Sequence, residues 1–204
     1  MSKFIVFEGP DGSGKSTQLE LLAQYLREEL GKKVVTTREP GGTPISQQIR
    51  EILLNPDNEA MKDKTEILLY AASRAQHIEQ LIMPSLLNNK YVLCDRFVDS
   101  SIAYQGYGRQ RDIDVIKKVN QMATSGVEPD FSVYIMVPPE IAIERIAQKR
   151  SLDRLEKTEI SFHQRVYQGY LELLKEGQRK YYIDGSNDIE TVHDDVKKLV
   201  KKRL

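Results

Sequence analysis

Eight residues, Gly9-Pro-Asp-Gly-Ser-Gly-Lys15-Ser16, limit what this chain can fold into more than any other feature. They fit the pattern G-x-x-x-x-G-K-[ST] without a mismatch. Glycines let backbone N–H groups close around phosphate oxygens, and a helix starting at the end of such a loop adds the positive end of its dipole. In that cradle Lys15 can reach the β- and γ-phosphates of a nucleoside triphosphate, and the Ser16 hydroxyl can ligate Mg²⁺. The flanks agree with this reading. Phe4-Ile5-Val6-Phe7 is a short apolar run ending at Glu8, as expected of a strand buried on both faces. After the loop, Leu19, Leu22, Ala23, Leu26 and Leu30 recur at helical spacing, and Gly31 supplies a stop. A glycine-rich turn that matched by chance would not carry both flanks. The candidate nucleotide-binding residues are therefore Gly9, Pro10, Asp11, Gly12, Ser13, Gly14, Lys15, Ser16 and Thr17.

The remaining chain alternates in the same way. Strands are expected at Lys33–Arg38, Tyr91–Cys94, Phe131–Val137 and Tyr181–Ile183. Helices are expected at Ile45–Leu54, at Lys64–Leu87 with Pro84 as a kink or break, and near Ser100–Gln105. Others follow at Asp112–Ser125, from Ile141, at Phe162–Glu176 and at Ile189–Leu204. Apolar runs alternating with helices imply a parallel sheet covered on both faces, an α/β fold. At 204 residues, with no repeat or low-complexity linker, one domain spanning 1–204 is expected.

Composition removes several functions. Lys+Arg and Asp+Glu are both 30, whereas a protein that coats a nucleic-acid backbone needs a cationic surplus. No nucleic-acid partner is expected, and the basic end Lys197–Leu204 reads as a solvated helix face suited to the dipole. The single cysteine, Cys94, offers no internal disulfide, and His77, His163 and His193 lie too far apart for zinc spacing. Nothing approaches the roughly 18 consecutive apolar residues of a membrane span, and the N-terminal apolar stretch is too short for a signal peptide. A soluble cytoplasmic protein with no membrane association is the expectation.

A phosphate loop by itself says only that a nucleoside triphosphate binds. More specific segments follow: Arg38-Glu39-Pro-Gly-Gly-Thr43 after the second strand, Asp95-Arg96-Phe97 after the third, and Asp99-Ser-Ser101-Ile-Ala-Tyr104-Gln105-Gly106 next to it. Together with the loop and with Leu152-Asp-Arg154-Leu-Glu156, they closely resemble the bacterial thymidylate kinases, over essentially the whole chain. The resemblance implies a P-loop kinase fold, a five-stranded parallel sheet in the order 2-3-1-4-5 with helices on both faces and a lid. It also implies transfer of the ATP γ-phosphoryl group to dTMP with Mg²⁺, giving dTDP, and a homodimer through the long helices.

Onto this chain the resemblance carries residues whose chemistry suits the task. Tyr70 and Arg74 stand four apart on one helix face, where a ring can stack on a pyrimidine and a guanidinium can hydrogen-bond the base or attract its phosphate. The family's usual stacking residue is Phe, so the Tyr70 hydroxyl needs a partner. Read without the family, this pair is an aromatic packing residue and a surface arginine. Ser101 and Gln105 are implied to read the polar edge of thymine, and Tyr104 to lie beneath the sugar; otherwise Ser101 is a helix cap and Tyr104 core. Arg50 and Arg96 are implied to clamp the acceptor phosphate, and Glu39 to lie near that phosphate and the sugar. Arg38 is either another such cation or half of a structural ion pair. Asp95 ends a buried strand, where a carboxylate is costly unless it holds Mg²⁺, Lys15 or water. With Ser16 it forms the candidate metal pair.

Loop positions Pro10 to Ser13 contain no basic residue, so a further cation for the transition state is expected from a lid over about 146–157, carried by Arg150 and Arg154. The alternative there is a solvated charged loop. Arg145 and the Asp184-Gly-Ser186 turn are candidates to flank adenine. The candidate catalytic set is Lys15, Asp95, Arg96, Arg150 and Arg154. Two rival readings remain, another nucleotide or deoxynucleoside kinase on this scaffold, and a P-loop ATPase that switches a macromolecular partner.

Overall fold

The computed structural model describes residues 2–147 and 159–204. Five parallel strands form one sheet, β1 (Phe4–Glu8), β2 (Val34–Arg38), β3 (Tyr91–Asp95), β4 (Phe131–Met136) and β5 (Lys180–Asp184), in the order β2-β3-β1-β4-β5. This is the expected α/β P-loop kinase architecture. Of the lid expected over about 146–157, residues 148–157, with Arg150 and Arg154, lie outside the described residues.

Strand β1 shows why the sheet is buried on both sides. Phe4 and Val6 pack with Val92, Cys94, Ile78, Ile82 and Phe97, while Ile5 and Phe7 point the other way. There they meet Leu22 and Leu26 of α1 (Lys15–Glu28) and Val196 of α9 (Ile189–Lys201). The period-2 alternation therefore separates two apolar sets, each covered by helices. Each such side chain contributes about 1.5–3 kcal/mol by leaving water. A third cluster joins Tyr134 and Met136 of β4 to Ile102, Phe162 and Tyr170. The last two belong to α8 (Ile160–Lys175).

The helices on the acceptor side are α2 (Pro44–Leu54), α3 (Asp63–His77), α4 (Met83–Leu87), α5 (Val98–Ser101) and α6 (Ile113–Thr124), and α7 (Pro139–Ala147) follows β4. The long helix expected over 64–87 is interrupted before the proline rather than at it. A π-helical turn, Ile78–Ile82, joins α3 to α4, and Pro84 sits in the first turn of α4. A proline has no N–H to give and crowds the preceding turn, so the hydrogen-bond pattern widens ahead of it and the chain continues. A second π-helical turn, Ile102–Gly108, extends α5 and carries Tyr104 and Gln105. Parallel pairing brings the carboxyl ends of β1, β2 and β3 together: Phe7 lies beside Asp95, and Asp95 beside Arg38. With β3 and β4 on either side of β1, the phosphate loop opens at the point where strand order reverses, the usual ligand crevice of such sheets.

Candidate active site

The loop between β1 and α1 folds tightly against β4. Gly9 has φ 135°, and a Cβ there would stand 2.1 Å from the Ile135 carbonyl oxygen. No larger residue fits. Gly14, at φ 92°, turns the chain into α1. A cavity of about 740 Å³ opens over the loop, lined by Asp11 through Thr17, Arg38, Glu39, Arg50, Asp95, Arg96 and Arg145 among others. Gly9 and Pro10 do not line it and act through their carbonyls instead. Gly9 O accepts from Arg96 at 3.0 Å, and Pro10 O accepts from Lys15 Nζ at 2.7 Å. Lys15 is buried, and burial together with the Arg96 charge brings its ammonium down to about 8, against the pull of Asp95, Asp11 and Glu8.

Ser16 Oγ donates to Asp95 Oδ2, and Asp95 Oδ1 is buried with no hydrogen-bond partner among the described residues. One hydroxyl and one carboxylate with an unengaged oxygen suit a hard cation that takes few protein ligands and completes its shell with phosphate and water. Among the described residues there is no group of three or more His, Cys, Asp or Glu side chains, as a dedicated all-protein metal cage would need. The donor set therefore fits Mg²⁺. At the far end, Arg145 donates to Gly185 O at 2.9 Å and to Ser186 O at 3.3 Å, so the arginine and turn expected around adenine do lie together. Asn187, Asp188 and Ile189 complete that end of the cavity. They were not legible in advance because an ordinary helix start carries no sign of what it faces.

A second pocket, about 90 Å³, adjoins the first and is lined by Tyr70, Arg74, Phe97, Ser100, Ser101, Tyr104 and Gln105 along with Glu39, Arg50 and Arg96. All eight residues expected around the acceptor thus come together. Their engagements differ from the simple expectation. Arg74 is only 2% exposed, no surface arginine, and its guanidinium is already held. It donates to Glu39 at 2.6 Å, Ser101 at 3.1 Å and Phe97 O at 2.9 Å, and to Asn120. His77 supports the other Glu39 oxygen at 3.0 Å and meets Thr37 Oγ1 at 2.7 Å. Arg50 donates to Pro40 O at 2.9 Å. Arg38 is exposed on the large cavity and has no ion pair among the described residues. Cys94 is buried, and burial raises its thiol well above the ordinary range, as expected of inert core.

Among the described residues Arg96 is the most connected cation. Nη2 donates to Asp11 Oδ1 at 2.6 Å and to the Tyr104 oxygen at 3.0 Å; Nη1 reaches Ser100 at 3.0 Å and Tyr170 at 2.9 Å. Burial works against ionisation of Asp11, yet the charges of Arg96 and Lys15 and a hydrogen bond from Tyr104 hold its carboxyl below the usual range. Behind these groups lies Glu8, a buried carboxylate that accepts from Phe97 N at 2.9 Å and Ser100 Oγ at 2.5 Å. Burial, reinforced by the Asp99 charge, raises the Glu8 carboxyl to about 7.

Sequence reasoning assigned no role to Glu8, Glu66, His77, Asn120 or Tyr170. Signals existed for two of them. Glu8 is a charge closing an apolar strand, and Glu66 stands four residues before Tyr70 and eight before Arg74, on the same helical stripe.

A lysine-bearing phosphate loop facing a second, base-sized pocket on this strand order defines a P-loop nucleoside monophosphate kinase. The family model for thymidylate kinase matches residues 7–196. The chain belongs to the thymidylate kinase family. It is 50% identical over 202 residues to a thymidylate kinase of Exiguobacterium sp. (strain ATCC BAA-1283 / AT1b), covering 98% of this chain and 95% of that one. It is 49% identical over 195 residues to a thymidylate kinase of Latilactobacillus sakei, covering 94% and 91%. The crystal structure of thymidylate kinase from Ehrlichia chaffeensis superposes with a TM-score of 0.80 at 37% identity, covering 98% of each chain.

Proposed function

We infer that the chain transfers the γ-phosphoryl group of ATP to dTMP, giving dTDP and ADP. One observation carries this reading: the two cavities share Asp11, Glu39, Arg50 and Arg96, so a donor phosphate over the loop and an acceptor phosphate in the second pocket would meet at the same cations. Phosphoryl transfer asks for alignment and charge stabilisation more than for covalent chemistry. Lys15 and the loop amides bind the donor, Arg145 and the Gly185 turn flank its base, and Arg50 and Arg96 hold the acceptor phosphate. Tyr70 stacks on the pyrimidine, Arg74, Ser101 and Gln105 read its edge, and Tyr104 supports the sugar beside Glu39. Ser16 and Asp95 would hold Mg²⁺, which when bound neutralises charge on the phosphates. Arg150 and Arg154 supply the remaining cation from the lid over about 146–157, and the whole of 1–204 acts as one domain.

A homodimer is part of the proposal. Exposed apolar side chains on the neighbouring helices α3 and α6 support it: Leu68 is 50% exposed, Val115 49% and Met122 76%. Sedimentation would read it directly. No described helix is long and apolar enough to cross a membrane, and a cytoplasmic location is proposed with it.

The test is a coupled assay with dTMP, dUMP, dCMP and thymidine as acceptors. dTMP should give the highest kcat/KM. Equal turnover of ATP with no acceptor present would instead indicate an ATP-driven switch.

A further inference from the structure

Gln105 lies at the base end of the acceptor pocket, 2% exposed, on the π-helical turn. Its Nε2 donates to Oε1 of Glu66 at 2.9 Å. Glu66 is 1% exposed, and its other oxygen faces Arg109 Nη2 at 3.6 Å. A carboxylate paired with a guanidinium accepts hydrogen bonds and has none to donate. Were the Gln105 amide rotated by half a turn, its carbonyl oxygen would oppose the Glu66 oxygen, two buried acceptors with no proton between them. The amide thus has one allowed orientation, NH₂ toward Glu66 and carbonyl away. No donor among the described residues reaches that carbonyl oxygen, so it is the Gln105 atom left for a ligand.

This matters because pyrimidines differ at N3. Thymine and uracil present an N–H between two carbonyls. Cytosine presents a bare N3 acceptor beside an amino group. An amide free to rotate would suit both; one locked with its carbonyl outward, facing N3, suits only a base that donates at that atom, as thymine and uracil do and cytosine does not. We propose that Glu66 is a positioning residue that sets the base specificity of the acceptor pocket, by holding the Gln105 amide so that a pyrimidine with an imino N–H is accepted and cytosine is refused. The inference rests on the reading of Gln105 as a base contact and adds the reason for its direction. It separates thymine and uracil from cytosine and leaves the choice between thymine and uracil to other contacts.

The experiment compares kcat/KM for dTMP, dUMP and dCMP in the wild type and in Glu66→Gln. A glutamine at 66 can donate or accept, which releases the Gln105 amide. The expected result is a fall of about tenfold or more in the dTMP:dCMP ratio. The dTMP:dUMP ratio and the KM for ATP should stay within about twofold, since those contacts do not pass through Glu66. A purely structural role would lower all three acceptors in parallel, and that outcome, or an unchanged dTMP:dCMP ratio, overturns the proposal. Arg109→Lys is the control for the ion pair: it keeps a cation beside the carboxylate that faces Gln105, so the base preference should persist, and losing it there would also count against Glu66 as the orienting group. Should Glu66→Gln not fold, the double exchange Glu66→Gln with Arg109→Gln removes both charges together and avoids leaving one buried alone. Gln105→Ala distinguishes the two levels of the argument. If that variant keeps the wild-type dTMP:dCMP ratio, Gln105 does not touch the base and the underlying reading fails. If it loses the ratio while Glu66→Gln keeps it, the contact stands and only the role of Glu66 falls.

Discussion

Arg96 Nη2 donates to Asp11 Oδ1 at 2.6 Å, tying the loop after β3 to the phosphate loop across 85 positions of sequence. The same guanidinium rests over the Tyr104 ring at 4.8 Å. A cation expected to meet a phosphate is therefore held in place beforehand, with its side chain 14% exposed at the junction of the two cavities.

Holding it takes a planar fork rather than a charge. Arg96→Lys keeps the charge but cannot reach Asp11, Ser100, Tyr104 and Tyr170 together. We expect single-turnover phosphoryl transfer to slow about 10²-fold, roughly 2.7 kcal/mol. A rate within threefold of wild type would mean that the charge alone suffices.

Lys15 predicts a pH effect on one kinetic parameter and not the other. Burial first, and then Arg96, lower its ammonium to about 8 in the free protein. Above that pH it loses the proton that attracts phosphate, so kcat/KM for ATP should decline. Bound phosphates favour the charged form and move the transition upward, so kcat should hold level to higher pH. A profile of kcat/KM flat to pH 10 would separate Lys15 from ATP binding.

Gly9 and Gly14 both have positive φ but different surroundings. A Cβ at Gly14 meets nothing within 4 Å, so Gly14→Ala should cost only the backbone strain, about 1–2 kcal/mol. At Gly9 the Ile135 carbonyl oxygen stands 2.1 Å from the added carbon, and β4 cannot yield cheaply. Gly9→Ala should cost roughly 3 kcal/mol or more and weaken ATP binding as well. Denaturant midpoints of the two variants provide the comparison.

Glu8 should make stability depend on pH in an unusual direction. Its carboxyl is raised from 4.5 to about 7, by burial first and then by Asp99. Between those values the folded chain holds a proton that the unfolded chain has released. This contribution is complete at the acid end and is lost as pH rises through about 7. The difference in melting temperature between wild type and Glu8→Gln should change across that window. A constant difference would show that Glu8 does not titrate there.

Arg154→Ala tests the proposed lid cation. It should lower kcat about 10²-fold with a smaller change in the dTMP dissociation constant, and Arg150→Ala should show a weaker version. Unchanged single-turnover chemistry in both variants would transfer the role to Arg96.

The strand, phosphate loop and first helix were legible because they are local. Hydrogen-bonding amides, glycine torsions and helix spacing all act within the first 30 residues, and the unbroken apolar run of Phe4 to Phe7 announces a strand covered on both sides. The acceptor residues were legible as residue types at family positions, which is why Tyr70, Arg74, Ser101 and Gln105 could be named together. What those side chains already hold was decided only by tertiary structure. Arg74 binds Glu39 and Asn120, Arg96 binds Asp11, and Gln105 is turned by Glu66, in pairs separated by 35, 46, 85 and 39 positions. Such partnerships require two atoms to come within about 3 Å. Strand register and helix packing set that distance, and no spacing along the chain encodes it. A buried glutamate looks the same in sequence whether it anchors a helix start, as Glu8 does, or orients an amide, as Glu66 does. The difference lies in which donors the fold brings to it.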